Sequence, residues 1–265
     1  MIADPDLVGT LLARIDRWRQ PGLYTIGICG SQGSGKTTLV AALAEQLALR
    51  GVAVATLSLD DIYLSREERQ DRAAKVHPLF ATRGVPGTHD VALGLSTLDA
   101  LKRGEPASLP RFDKGSDDPL PQLEWPLASP GTQVLLFEGW CLGAVPQDDH
   151  ALSVPVNDLE QAEDPEGVWR HAVNAHLAAG YQTLFHRVNR LVFLAAPSWD
   201  VVATWREQQE AELRQRSGSA VMTPLQVSRF IQHYERLTRH ILDTMPAYAD
   251  LTVRLDENRA VRGFG

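Results

Sequence analysis

Residues 30–37 read Gly30-Ser31-Gln32-Gly33-Ser34-Gly35-Lys36-Thr37, which has the spacing G-x-x-x-x-G-K-T. Glycines at these points let successive backbone N–H groups converge on phosphate oxygens. A helix opening at Lys36 would add its positive dipole end. Lys36 is then placed to neutralise β- and γ-phosphate oxygens, and the Thr37 hydroxyl to ligate Mg²⁺. The plain structural alternative is a glycine turn ahead of a helix. The match in a strand–turn–helix context weighs against that alternative.

Two apolar runs end in acids. Ser58-Leu59-Asp60-Asp61-Ile62-Tyr63 closes one of them. Ligands of open α/β sheets sit beyond the carboxyl ends of strands, so Asp60 is a candidate general base, or orienter, for an acceptor hydroxyl. Asp61 can share that task or cap the next helix. Val134-Leu135-Leu136-Phe137-Glu138-Gly139 closes the other run, as a Walker B-like strand with Glu in place of Asp.

Basic groups follow in loops. Arg83, in the turn-rich stretch 83–90, can grip an acidic substrate with two parallel bonds. His89 and Asp90 can orient a hydroxyl or each other, or Asp90 can cap the helix after it. Arg111 and Lys114 lie in a proline-rich segment suited to anion binding, with a solvated surface pair as the alternative. Arg206, in Trp205-Arg206-Glu207, is placed to reach a transferred phosphoryl group, or to pair with Glu210 along its helix. His171 and His176 are five apart, the wrong spacing for a zinc helix motif.

These groups need a scaffold, and the apolar periodicity supplies one. Helical spacing covers 7–18, 36–50, 91–103, 168–188, 199–216 and 224–243, with Thr223-Pro224 as N-cap and first turn. Asn157 with Glu160 is a candidate capping box. Short apolar runs at 24–29, 52–59, 134–137, 191–195 and 251–255 read as buried strands. Strands alternating with helices predict an α/β fold with a mainly parallel sheet. Residues 60–90 read as loop with some helix. Six of the 16 prolines fall between 104 and 132, which predicts extended chain outside any central strand.

Composition bounds the rest. The chain has 265 residues, is 44% hydrophobic and 22% charged, and carries a net charge of −7. That excludes disorder as the main state and gives no footprint for nucleic acid. Four of the 26 basic residues are Lys, so each lysine in a loaded position stands out. The six tryptophans fit a core better than a base-stacking platform. Cys29 and Cys141 make no disulfide framework, which points to a reducing compartment. No secretory leader or membrane-spanning run is evident, so a soluble cytoplasmic protein is expected.

The stretches GSQGSGKTT (30–38), SLDDIY (58–63), TRGVPGTHD (82–90), PRFDKG (110–115), LFEGW (136–140) and WR (205–206) together resemble the P-loop D-glycerate 3-kinases. Those are similar in turn to the phosphoribulokinase, uridine kinase and pantothenate kinase group. The resemblance covers about residues 22–255, and TRGVPGTHD and LFEGW are far more specific than the P-loop. It implies a three-layer P-loop NTPase sandwich and ATP- and Mg²⁺-dependent phosphorylation of a small hydroxy acid. It also implies that Gly30 to Thr38 hold ATP phosphates, with Gly30, Ser31, Gly33, Ser34, Gly35, Lys36, Thr37 and Thr38 as the binding set. Asp60 would activate the hydroxyl, and Thr37 with Glu138 would serve the metal. Tyr63, Arg83, His89, Arg111 and Lys114 would line the acceptor pocket, with Arg206 as the lid arginine. One departure is the stretch Gly115-Ser116-Asp117-Asp118-Pro119-Leu120-Pro121, where plant-type members carry a glycine- and arginine-rich run.

A single domain over 1–265 is expected, with 60–132 as a substrate-binding insertion and 198–220 as a possible lid. Two rival functions remain. One is a P-loop kinase of uridine, pantothenate or a sugar phosphate, for which Tyr63, Phe112 and Trp140 could stack a base. The other is a P-loop regulatory ATPase with a protein partner. The guanine-reading N-K-x-D is absent.

Overall fold

A computed structural model describes residues 4–217 and 222–265. Its elements, in chain order, are α1 Pro5–Trp18, β1 Tyr24–Gly30, α2 Lys36–Leu49, β2 Val54–Ser58, α3 Arg66–Lys75, α4 Val91–Lys102, β3 Val134–Gly139, α5 Val168–His176, β4 Arg190–Ala195, α6 Trp199–Ser217, α7 Pro224–Thr244, β5 Leu251–Leu255 and β6 Val261–Phe264. Helices flank a six-stranded sheet in the order β6-β5-β4-β1-β3-β2. Five strands run parallel, and β6 returns antiparallel at one edge.

Every residue of β1 and β3 is buried, as expected for central parallel strands covered on both faces. The register sets Ile28 beside Glu138, and Glu138 beside Ser58. Three carboxyl ends therefore finish level with one another. Strand order reverses around β1, so the crevice where such sheets bind ligands opens at this edge.

Local sequence explains the elements that frame that crevice. Gly33 and Gly35 take φ of 78° and 90°, a region that disfavours side chains with a Cβ, and α2 starts at the next residue. Ser58 caps a short 3-10 turn over Leu59–Ile62, and Asp61 closes the capping box by accepting from the Ser58 N–H. Thr223 caps α7 with Gln226 reciprocating.

Several expectations change. The helix expected over 168–188 is broken: α5 ends at His176, and a π-turn spans Leu177–Tyr181. Ala179 in that turn has non-helical angles of −95° and −108°. Gly180 beside it weakens the helix at that point. Asn157 caps Asp158–Glu163, but Glu160 does not complete the box. Its carboxylate is taken by Arg236, at 2.8 and 2.6 Å, in a buried pair. The proline-rich segment folds into two small antiparallel ladders, Ala107–Ser108 with Leu127–Ala128 and Phe112–Asp113 with Asp118–Pro119. Strand β6 follows β5 by a turn through Asp256 that the periodicity missed. The expected lid region 198–220 is helical to Ser217, and residues 218–220 lie outside the described residues. Among the described residues, no helix is long and apolar enough to cross a membrane.

Candidate active site

A cavity of about 360 Å³ opens at the carboxyl ends of β1, β2 and β3. Gln32, Gly33, Lys36 and Thr37 line its phosphate-loop side. Asp60, Tyr63, Arg83, Phe112 and Lys114 line the opposite side. Glu138 and Trp140 form part of the floor, while Arg206, Phe230 and Tyr234 reach in from α6 and α7.

The phosphate loop is fixed from several directions. The Lys36 ammonium donates to the Ser31 carbonyl at 3.1 Å, and the Arg259 guanidinium donates to the Gly33 carbonyl at 2.6 Å. A Cβ on Gly33 would come within 2.6 Å of Trp205 Cβ, so the loop packs directly on α6. The hydroxyls of Ser31 and Ser34 are buried and have no hydrogen-bond partner among the described residues, which leaves them available beside the cradle. Gly30 and Gly35 shape the turn. Thr38 faces a separate small recess with Asn258 and Arg259.

The Thr37 hydroxyl donates to Glu138 Oε1 at 2.9 Å, and Glu138 is 7% exposed. Two hard oxygen donors are thereby held together at the mouth of the phosphate loop. That donor chemistry suits Mg²⁺ better than a soft metal.

Asp60 carries both of its oxygens in contacts. Tyr63 donates its hydroxyl to Oδ1 at 2.9 Å, and Lys114 donates to Oδ2 at 2.6 Å. Burial would push this carboxyl up, but the Lys114 charge and these hydrogen bonds outweigh it and hold it at about 2. Burial pushes the Asp61 carboxyl up against the opposing pull of Arg111. Asp61 is committed to its cap and to Arg111 at 3.4 Å, so the structure gives it a structural task.

Two residues expected in the acceptor pocket stand behind it. His89 does not line the cavity. It stacks on Tyr63 with ring centroids 4.5 Å apart, and its Nδ1 meets the Tyr181 hydroxyl at 2.6 Å. Burial pushes its pKa down to about 3. Arg111 holds Asp61 and the Pro110 carbonyl rather than lining the cavity. Asp90 caps α4 through the Leu93 N–H at 2.9 Å. Arg206 does reach the cavity, but its guanidinium also pairs with Glu210 and lies 5.4 Å over Phe230.

Aromatic faces that could have stacked a base are already engaged. Tyr63 holds His89, and Phe112 carries Arg69 and Arg83 at 5.8 and 5.6 Å. Trp140 packs edge-on to Tyr234 at 5.0 Å and donates to the Gly84 carbonyl at 2.8 Å. Tyr234 and Arg259 were missed by sequence reasoning. Each acts across more than 150 residues of chain, and no local pattern marks it.

Comparison with known proteins gives a consistent answer. The phosphoribulokinase/uridine kinase family model matches residues 25–151. An uncharacterised kinase of Schizosaccharomyces pombe is 36% identical over 252 residues, which is 89% of this chain and 89% of that protein. The chloroplastic D-glycerate 3-kinase of Arabidopsis thaliana is 32% identical over 88% of this chain; the chain spans about half of that relative, 53%. The structure of a D-glycerate 3-kinase from Cryptococcus neoformans var. grubii matches with a TM-score of 0.79 at 26% identity, over 98% of this chain and 96% of that one. The regulatory-ATPase alternative is not favoured, and the chain is a kinase belonging to the family of the Schizosaccharomyces pombe kinase, similar to the D-glycerate 3-kinases and, over residues 25–151, to the phosphoribulokinase/uridine kinase family.

Proposed function

We propose that this kinase transfers the γ-phosphoryl group of ATP to a hydroxyl of D-glycerate. One observation carries the reading: the cavity joins a phosphate cradle to a wall bearing the carboxylates Asp60 and Asp61, of which Asp61 is tied to its cap and to Arg111, with the cations Lys114 and Arg83 beside them. A small hydroxy acid matches that wall. Its hydroxyl would meet Asp60 and its carboxylate would meet a cation.

In this reading Lys36 and the loop N–H groups of 30–38 bind the β- and γ-phosphates. Arg206 approaches the transferred group from α6. Asp60 accepts the hydroxyl proton, and Tyr63 fixes the rotamer of Asp60 by its bond to Oδ1. Thr37 and Glu138 would hold Mg²⁺, which neutralises charge on the phosphate oxygens. Residues 60–132 serve as the acceptor-binding insertion, and His89 acts as a support for Tyr63. The two cysteines are unpaired and buried, which supports a reducing, cytoplasmic setting. The relatives named for D-glycerate support the choice of acceptor.

The test is acceptor-dependent ADP release with Mg-ATP, comparing D-glycerate with L-glycerate, uridine, pantothenate and ribulose 5-phosphate. Stimulation by D-glycerate with a phosphoglycerate product is expected. Stimulation by another acceptor instead would overturn the substrate while keeping the phosphoryl-transfer site.

A further inference from the structure

The stretch that departs from the plant-type pattern, 115–121, places a carboxylate behind the acceptor wall. Asp117 sits at the tip of the Phe112–Asp113/Asp118–Pro119 ladder with φ of 63°, a left-handed conformation. Its Oδ2 takes Arg69 at 2.6 Å, and its Oδ1 pairs with Arg83. Arg69 is 1% exposed in its side chain, and it also donates to the Leu64 and Asp117 carbonyls. Arg66 stands farther off at 3.7 Å and is mostly solvated. Both Arg69 and Arg83 lie over the ring of Phe112, which itself lines the cavity.

The charges on this wall can be counted. Lys114 is matched by Asp60, and Arg111 by Asp61. Two guanidinium groups, Arg69 and Arg83, then share the one carboxylate of Asp117. Of these two, Arg83 lines the cavity, and it has Asp117 as its ion-pair partner only by sharing it with the buried Arg69; Asp113 and Asp118 act on the pair from longer range. Without Asp117, Arg83 at the cavity and the buried Arg69 behind it would both lose their shared carboxylate, and the field at the wall would favour a more highly charged anion such as a phosphate dianion.

We infer that Asp117 is a specificity-determining residue that limits the acceptor to one negative charge, admitting a monocarboxylate and disfavouring a phosphate ester. The inference rests on the acceptor-side reading of the cavity given above. Asp117 acts through Arg83 and makes no contact with the acceptor itself. It holds Arg83 against Phe112 and cancels the charge of its buried neighbour. An acceptor with two charges would meet an uncompensated second charge in a partly desolvated site, at a cost of about tenfold or more in affinity.

The experiment measures direct binding with the phosphate loop filled by a non-hydrolysable ATP analogue and Mg²⁺, so that the cradle cannot take the probe. The probes are D-glycerate, glycerol 3-phosphate (a dianion) and the methyl ester of glycerol 3-phosphate (a monoanion). Asp117→Asn keeps a residue that tolerates the left-handed backbone while removing the charge. In this variant glycerol 3-phosphate should bind about tenfold more tightly, with the two monoanions changed less than threefold. Asp118→Asn, in the same loop with its carboxylate accepting from the Arg66 N–H and acting on Arg69 only at longer range, should change all three less than about threefold. Unchanged dianion binding in Asp117→Asn, or an equal gain in Asp118→Asn, overturns the inference. Should Asp117→Asn fail to fold, the wild type decides alone: it should prefer the methyl ester over the dianion by about tenfold, and equal or tighter dianion binding overturns the inference. Failure of the wild type to bind D-glycerate would count against the proposed acceptor, while the ratio of the two esters still reads the charge limit.

Discussion

The ammonium of Lys114 lies 2.6 Å from Oδ2 of Asp60, so the proposed proton acceptor is already paired with a cation. Because Asp60 is held at about 2, it is ionised throughout the ordinary pH range and is a weak base in this arrangement. An acceptor hydroxyl that arrives beside Oδ2 while its carboxylate meets Arg83 would compete with Lys114 for that oxygen, and loosening this pairing would strengthen the base. Asp60→Asn should therefore lower kcat by roughly 10²–10⁴-fold while leaving ATP affinity nearly unchanged. Steady-state kinetics with a separate nucleotide titration checks both halves. Full turnover in the variant would remove Asp60 from its role.

Lys114→Met separates the two tasks given to that lysine. Without the ammonium, burial dominates and the Asp60 carboxyl moves up from about 2. A carboxylate with a lowered value stays ionised as pH falls until that value is reached. Raising the value brings its loss of charge into the assay range. The acid limb of kcat/KM should move to higher pH in Lys114→Met, and the acceptor KM should rise. A pH profile parallel to the wild type, merely displaced downward, would mean that Lys114 binds acceptor without tuning Asp60.

The glycine of the 82–90 motif has a steric reason. Gly84 has φ of 136°, and a Cβ there would come within 2.0 Å of the Tyr234 hydroxyl. That hydroxyl donates to the Arg83 carbonyl at 3.0 Å, and Trp140 donates to the Gly84 carbonyl. The motif thus seats α7 against the acceptor wall through bare backbone. Gly84→Ala should cost about 3 kcal/mol or more from combined overpacking and backbone strain. For a domain of this size that lowers Tm by roughly 6–12 °C, readable by calorimetry. A shift under about 2 °C would show that the backbone yields there.

The parts of the site that the sequence reveals are those whose chemistry is local. The phosphate loop is one continuous turn, and Asp60 and Glu138 stand at the ends of runs whose burial is visible as unbroken hydrophobicity. Contacts made across the fold leave no such trace. Tyr234 needs the close pass of α7 over Gly84, and Arg259 needs the turn before β6 to return to Gly33. The stretch holding Asp117 stands out in the sequence as a departure from the plant-type run, but its pairing with Arg69 and Arg83 needs the ladder that brings them together. Glu160 shows the converse. Its position three residues after Asn157 satisfies the capping-box pattern, yet the buried Arg236 takes the side chain through two charge-assisted bonds. A buried ion pair outcompetes a surface cap because an unpaired buried guanidinium is far more costly than one open N–H.

His89 supplies the last test, one that needs no substrate. The ring is 4% exposed, stacked between elements of the acceptor wall, and its pKa is pushed down to about 3 by burial. The unfolded chain takes up a proton near pH 6.5 that the folded protein refuses until about pH 3. Folding stability must therefore fall as pH drops through that window, and the contribution of this group is fully retained only above it. At pH 5.5 the loss from His89 is about 1.4 kcal/mol relative to pH 7.5, with a similar share from His233, whose burial lowers it to about 4. His89→Gln should lose about 1.4 kcal/mol less than the wild type between those two pH values in urea unfolding, whatever its absolute stability. Identical losses would mean that His89 takes up its proton in the folded state, and that the ring supporting Tyr63 is not the neutral one its burial requires.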